Sequence, residues 1–501
     1  MIGKRGSFEE ISVKIFQVLG ILLFVVLSYY SIGMTAENKN LYDEHVFETP
    51  DSLIENIFWI CMALLFFFAV QQIIRRYAQN VNMQFVAAIV SITAALGCIY
   101  WIGTSHIVPQ SDQMNICVCA EAFNSGDYTY LERGQYVGIC RQQLGLITLI
   151  RVLFYLFGTG NYRAFQYLSA LMAGALVFFG FQIVKHLSDH QQTAEIYYLL
   201  IAISCIPMYV YTSFVYGEII SISLLLLAAW MLLSCLKNFS WGKAAVFALS
   251  SGIAIQVRQN SLIIIIGFLI VLFVKLIAGN TKNAVSLLIC IAAGILLPSF
   301  IITHGVYGGK IPDDSETMPA VLYIAMGLNW DKVNPGWYNG YNYIIFEENE
   351  YDVEASKEQA KEKIREFLQI AKDNDGYAVD FFVHKITNQW SAPMYHCLAM
   401  NTGIEGEQGR LAHSVFFGRL GVFLQKFMNI YQLLIYGSVL FVLLIKRKKW
   451  THLENYVLLI GIFGGFLFSL MWESKTRYVF PYFMFMLPYA AVGLGNLKFK
   501  R

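Results

Sequence analysis

Apolar residues in this chain neither alternate strictly nor follow a single amphipathic period. They gather in blocks of about 20, separated by short polar stretches. A helix rising 1.5 Å per residue needs roughly 20 mostly apolar residues to cross about 30 Å of hydrocarbon. Twelve blocks read as membrane spans: 15–34, 53–74, 84–103, 164–184, 196–215, 219–236, 244–257, 260–278, 284–303, 427–445, 455–472 and 478–495. The seventh is the shortest. Two longer stretches stay out of the bilayer, from Gly103 to Arg163 and from His304 to His413. The expected organisation is a two-span hairpin (1–83), a transmembrane core (84–303) with an outer loop (104–163), an external lid segment (304–413) and C-terminal helices (414–501). No internal repeat and no second soluble domain is visible. The first block is too long for a signal peptide and lacks a small-x-small cleavage site after it, so it reads as a retained anchor.

Composition agrees. Of 501 residues, 57% are hydrophobic and 14% charged, with a mean hydropathy of +0.52; soluble domains carry about 25% charged residues. A net charge of +2 without a clustered basic face argues against a nucleic-acid partner. Basic residues gather at one parity of the span ends: Lys4, Arg5 and Lys14, then Arg75 and Arg76, Lys185, Lys237 and Lys243, Lys275 and Lys282, Lys446 to Lys449, and Lys498 to Arg501; among the short connections Arg258 and the Lys475/Arg477 pair fall on the other. The loop 35–52 on the other side is acidic, with Glu37, Asp43, Glu44, Glu48 and Asp51. The positive-inside rule then places both termini in the cytoplasm and both long segments outside a cell membrane.

The outer loop 104–163 carries the first candidate chemistry. Asp112 follows the third span closely, ahead of an expected short helix (114–123), a turn at Asn124 to Asp127 and an aromatic stretch to Tyr136. Residues 142–157 form an apolar helix too short to span, ended by Gly158 and Gly160, and expected to lie along the membrane. Asp112 also suits a helix N-cap, and Asp127 a turn. Cys61, Cys98, Cys205, Cys235 and Cys290 read as apolar fillers of the spans. Cys117, Cys119, Cys140 and Cys397 lie where a disulfide is permitted, but their spacing suits no zinc site.

An Asp just beyond a span, then "GDYTYL", then "LFGTGNYRAFQYLSALMAG" resembles the GT-C superfamily of integral-membrane glycosyltransferases, in the branch of protein O-mannosyltransferases and aminoarabinose transferases. The ending "WESKTRYVFPYFMFMLPYA" resembles that family's Arg-Tyr-x-x-Pro, on Arg477, Tyr478 and Pro481, and "SFVYGEIISISLLLL" its acidic residue at a span start, on Glu218. The resemblance implies an all-α polytopic membrane protein: a GT-C-like bundle of about twelve helices, with juxtamembrane helices in the first large outer loop and a second large outer loop. It implies Asp112 at the active site, a polyprenyl-phosphate-sugar donor, and a glycan, lipid or protein acceptor among the membrane lipids. Two positions depart from the family. Gln113 replaces the usual Glu after the Asp, so no acidic pair supports a divalent metal, and "GICRQQ" (138–143) replaces a Lys-Pro-Pro.

The residues themselves suit that chemistry. Sugar transfer from a lipid phosphate needs a base for the acceptor proton and cations for the leaving phosphate. Asp112 is the candidate base. Arg141, Glu218, Arg258, Lys475, Arg477 and Tyr478 are candidates for binding donor phosphate or substrate. The stretch 328–343, rich in Trp, Tyr and Asn, suits sugar contacts from a lid. In residues 352–374, Ile364, Phe367, Leu368 and Ala371 are expected on one helix face. An O-antigen-type ligase or polymerase, or a lipid or sugar transporter, are the alternative classes. Transporters, however, tend to place charges at mid-membrane in repeated halves.

Overall fold

The computed structural model describes residues 2–39, 41, 45–77, 81–314, 316–330, 334–402, 408–445 and 448–497, with side chains from residue 8 onward except those of 448 and 449. The side chains of Lys4, Arg5 and Lys446 to Lys449, the basic tail Lys498 to Arg501, and Asp43 and Glu44 lie outside the described residues.

Helices dominate the chain. In order they are α1 (Ile2–Gly33), α2 (Leu53–Tyr77), α3 (Met83–Ser105), α4 (Asp112–Asn124), α5 (Leu144–Phe157), α6 (Arg163–Leu187), α7 (Gln192–Ile203), α8 (Glu218–Lys237), α9 (Trp241–Val257), α10 (Ser261–Ala278) and α11 (Thr281–Phe300). After them come α12 (Ala320–Gly327), α13 (Tyr341–Glu348), α14 (Val353–Asp373), α15 (Tyr377–Trp390), α16 (Arg419–Leu444), α17 (Val457–Met471) and α18 (Thr476–Gly495). Ten helices among the described residues are long and apolar enough to cross a membrane. The chain is a multi-pass membrane protein.

The remaining two expected spans are irregular. The block 196–215 is broken: α7 and the short helix that follows (Ile206–Ser213) meet at 53°. Pro207 opens the second piece and has no N–H to continue the first. Helix α9 has 17 residues and lies against α11, where the backbones come so close that a Cβ on Gly252 would sit 1.7 Å from the Gly294 oxygen. Small residues at such crossings let helices approach without a hydrophobic driving force. Helix α5 turns by 100° from the segment before it. Its 14 residues are too few to span, and Tyr155, Leu156 and Phe157 stand exposed at its end.

Helix α18 is the hub, with 89% of its apolar window buried; it packs against α16, α7, α17 and α6. Helix α1 packs along α16 and α10. At its start, Lys275 bridges Glu9 (2.7 Å) and Glu454 (2.5 Å), so this basic span-end residue is neutralised internally.

The segment 304–413 is fastened to the bundle by α15. Buried Lys385 donates to the Gly327 and Trp472 carbonyls, and burial pushes its ammonium down to about 7. Gln389 and Trp390 bond to Ser469, the latter through Nε1 at 3.0 Å. Ser474 N–H donates to Gly336 O at 2.7 Å. The loop 472–475 is thereby held from two sides. On α14, Phe367 and Ala360 are buried, whereas Leu368, expected on the inner face, is 59% exposed. The loop 35–52 contains an antiparallel hairpin, β1 (Met34–Glu37) with β2 (Phe47–Pro50), tied to α15 through Ala36 N–H and Ser391 O.

Candidate active site

Helices α3, α9 and α17 end, and α4, α8, α10 and α18 begin, at the same end of the bundle. Between that end and the segment 304–413 lies a cavity of about 640 Å³. Its walls include Asp112, Tyr216, Arg258, Lys475, Arg477 and Tyr478. Five of the seven sequence candidates therefore meet in one space, from positions up to 366 residues apart.

Asp112 is the first residue of α4. The N-cap position falls on Ser111, at φ 49° and ψ −127°, and no side chain caps that helix end. The Asp112 carboxylate instead accepts the Tyr216 hydroxyl at 3.3 Å, and that hydroxyl accepts from Gln143 Nε2 at 2.6 Å. Burial, followed by the Asp112 charge, pushes the Tyr216 phenol well above its usual range. It stays protonated and keeps donating. The relay Gln143 to Tyr216 to Asp112 fixes one carboxylate oxygen and so aims the carboxylate at the cavity.

The two arginines reach the cavity from different backbones and differ in partners. Arg258 caps the C-terminus of α9, and its Nη1 lies 3.0 Å from Glu218 Oε1. Glu218, only 1% exposed, lies behind the wall, paired with Arg258. Arg477, in the first turn of α18, is 5% exposed. Its guanidinium lies over the rings of Tyr216 (4.9 Å), Tyr478 (5.3 Å) and Phe214 (5.6 Å), and Nη1 is 3.6 Å from Met400 Sδ. No carboxylate lies within ion-pair distance of it among the described residues. Aromatic faces offset part of the cost of burying a cation, about 0.5–2 kcal/mol each. An unpaired buried charge costs several kcal/mol, so the position would suit an anionic ligand.

Lys475 lies 3.9 Å from Glu473 and 5.9 Å from the Tyr338 ring centre. Glu473, 5% exposed, accepts the Tyr478 hydroxyl at 3.2 Å and also lines the cavity. Sequence reasoning missed it. The signal was its place in "WESKTRY", two residues before Lys475 on a polar break between two spans. Arg141 stands apart from the expected set: Cys140, Gln142 and Gln143 line the cavity, and Arg141 does not. It sits in a 3-10 turn between Cys140 and α5, half-buried, and burial lowers its pKa.

The residues beside Asp112 do not suit a metal. Gln113 is turned into the protein, its Oε1 accepting Val215 N–H (2.8 Å) and its Nε2 donating to Met400 O (3.3 Å). The described cysteines are all free thiols; burial raises Cys117 and Cys119 to about 12. Asp127 accepts Thr129 N–H and Oγ1, making the turn expected of it.

Comparison with protein-family profiles, with curated proteins and with solved structures returns no match for this chain. The functional reading rests on the geometry of the site.

Proposed function

We propose that the protein is a membrane glycosyltransferase of GT-C type. It moves a sugar from a polyprenyl-phosphate donor to a glycan, lipid or protein acceptor at the outer face of the cell membrane. The observation that carries this reading is the buried Arg477, with no carboxylate within ion-pair distance among the described residues, in the same cavity as Asp112 at the end of the helical bundle. A lipid phosphate arriving from the bilayer supplies the missing anion. In this reading Asp112 takes the proton of the acceptor hydroxyl as it attacks the anomeric carbon. Arg477, Arg258 and Lys475 stabilise the charge that develops on the leaving phosphate. Glu218 orients Arg258, and Tyr216 orients Asp112.

Deleting the gene should remove one sugar substituent from an envelope polymer, read by mass spectrometry of the envelope glycans, and a plasmid copy should restore it. An unchanged glycan profile would count against the transferase.

Sidedness follows from the charge parity. In a cysteine-free background, a membrane-impermeant maleimide applied to whole cells should modify Asp127→Cys and Glu350→Cys but not Asp189→Cys. All three positions are exposed. Labelling at 189 with protection at 127 would invert the topology and move the cavity to the cytoplasmic face.

A further inference from the structure

The cavity has two chemically distinct walls. Every charged side chain that lines it comes from the bundle end: Asp112, Arg258, Glu473, Lys475 and Arg477. The segment 304–413 contributes Thr317, Tyr323, Tyr338, Asn342 and Tyr343, together with apolar Met318 and Ala320, and among the described residues no charge at all. This is not for want of charges, since that segment carries the dense run Glu354 to Glu366, which faces away on α14. Tyr338, lying under Lys475, marks the border between the walls.

The uncharged wall has the chemistry of a sugar site. Tyr323 stacks on Trp472 with centroids 4.9 Å apart and planes 7° from parallel, and both residues line the cavity. Trp472 also stacks on Phe468 (4.9 Å, 25°), so the ring left to meet the C–H side of a pyranose is Tyr323. Tyr343 Oη lies 3.2 Å from Cys140 Sγ, a weak partner that a sugar hydroxyl can replace. Asn342 is 1% exposed; its Nδ2 meets only Met318 Sδ at 3.4 Å, and its Oδ1 has no hydrogen-bond partner. A buried amide with an idle acceptor is costly, and a ligand hydroxyl reached by a turn of the amide would recover that cost. An ammonium or carboxylate on a sugar held against Tyr323, Asn342 and Tyr343 would find no charged partner on these residues, Lys475 lying over the border ring of Tyr338.

We propose that the wall formed by Tyr323, Asn342 and Tyr343 is a subsite for an uncharged sugar residue, excluding amino and uronic sugars. This rests on the transferase reading and narrows it. Two sources share the chemistry, the acceptor glycan and the sugar carried by the donor lipid.

The test uses the full-length protein in fluorescent lipid nanodiscs. One arm probes a printed array of neutral, amino and uronic oligosaccharides, with affinities for positive spots then titrated. The other arm measures affinity for a neutral hexosyl polyprenyl phosphate against bare polyprenyl phosphate. For an acceptor subsite, neutral spots bind, charged ones do not, and Asn342→Ala weakens binding at least tenfold. For a donor-sugar subsite, the array stays dark, while the preference for the hexosyl lipid over the bare lipid is lost in Asn342→Ala. Tyr343→Phe, a milder change, should follow the same arm with a several-fold loss. Binding of amino or uronic sugars as tight as neutral ones, no sugar binding in either arm, or wild-type behaviour of both variants would overturn the subsite. Neutral binding that responds to both variants, without any transfer from donor lipid, would keep the subsite and overturn the transferase.

Discussion

Asp112→Asn is expected to fold, insert and bind donor lipid as the wild type does, while its transfer rate falls by at least about two orders of magnitude. A positioned carboxylate contributes about 10²–10⁴-fold when it removes the proton of a poor nucleophile. Asparagine keeps the shape and still accepts the Tyr216 hydroxyl, but it cannot take the acceptor proton. A role as helix cap predicts the opposite, because Asn caps about as well as Asp. The geometry already separates the two, since Ser111 occupies the cap position and Asp112 makes no cap bond. Asp127→Asn, in an exposed turn, serves as the control and should transfer at the wild-type rate. The measurement is initial transfer rate with purified protein, with donor affinity determined separately. Near-wild-type transfer by Asp112→Asn would remove it from the mechanism.

The second large effect is expected at the arginines. Arg477→Ala should slow transfer by about 10²–10³, the cost of losing one preorganised charge stabiliser in a poorly hydrated site. Arg477→Lys should recover only part, because an ammonium lacks the planar fork that meets two phosphate oxygens. Arg258→Ala should slow transfer similarly but carry a second penalty. Its removal strands Glu218, 1% exposed, and breaking a buried pair costs about 3–5 kcal/mol. Melting temperature in detergent should therefore fall clearly for Arg258→Ala and little for Arg477→Ala, which breaks no ion pair among the described residues. Unchanged turnover in both Ala variants would reduce the two residues to anchors of helix ends.

Much of the fold was legible because spanning a membrane is a condition on length and apolarity, both written along the chain. The blocks at 53–74 and 260–278 became α2 and α10 nearly as expected. The break in 192–213 was not legible, because Ser204, Cys205 and Pro207 leave an apolar run intact while interrupting its backbone. Nor was the β1–β2 hairpin: "MTAE" and "FETP" are too short to carry an alternating pattern, and they pair across a loop. In the site, Arg258 and Arg477 were legible as cations at the ends of apolar blocks, where a charge needs a reason. Their partners were not. Glu218 opens α8, whose mostly apolar sequence gives no clear periodicity to orient it, and Glu473 lies in the irregular loop between α17 and α18, where no periodicity applies. Arg141 and Cys140 are neighbours in sequence, yet a single 3-10 turn puts one on the wall and the other off it. Leu368 failed as a core position because α14 is covered mainly through Ala360 and Phe367.

The central claim is transfer from a lipid phosphate at this cavity, and one measurement meets it directly. Purified wild-type protein and Asp112→Asn, each in nanodiscs, are given polyprenyl-phosphate sugars labelled in the sugar, together with an extract of envelope acceptors. The account predicts that the wild type moves label from lipid to acceptor with one polyprenyl phosphate released per sugar transferred, and that Asp112→Asn binds the lipid and leaves it intact. Donor lipid that remains unconsumed by the wild type, or that is consumed equally by both proteins, would contradict it.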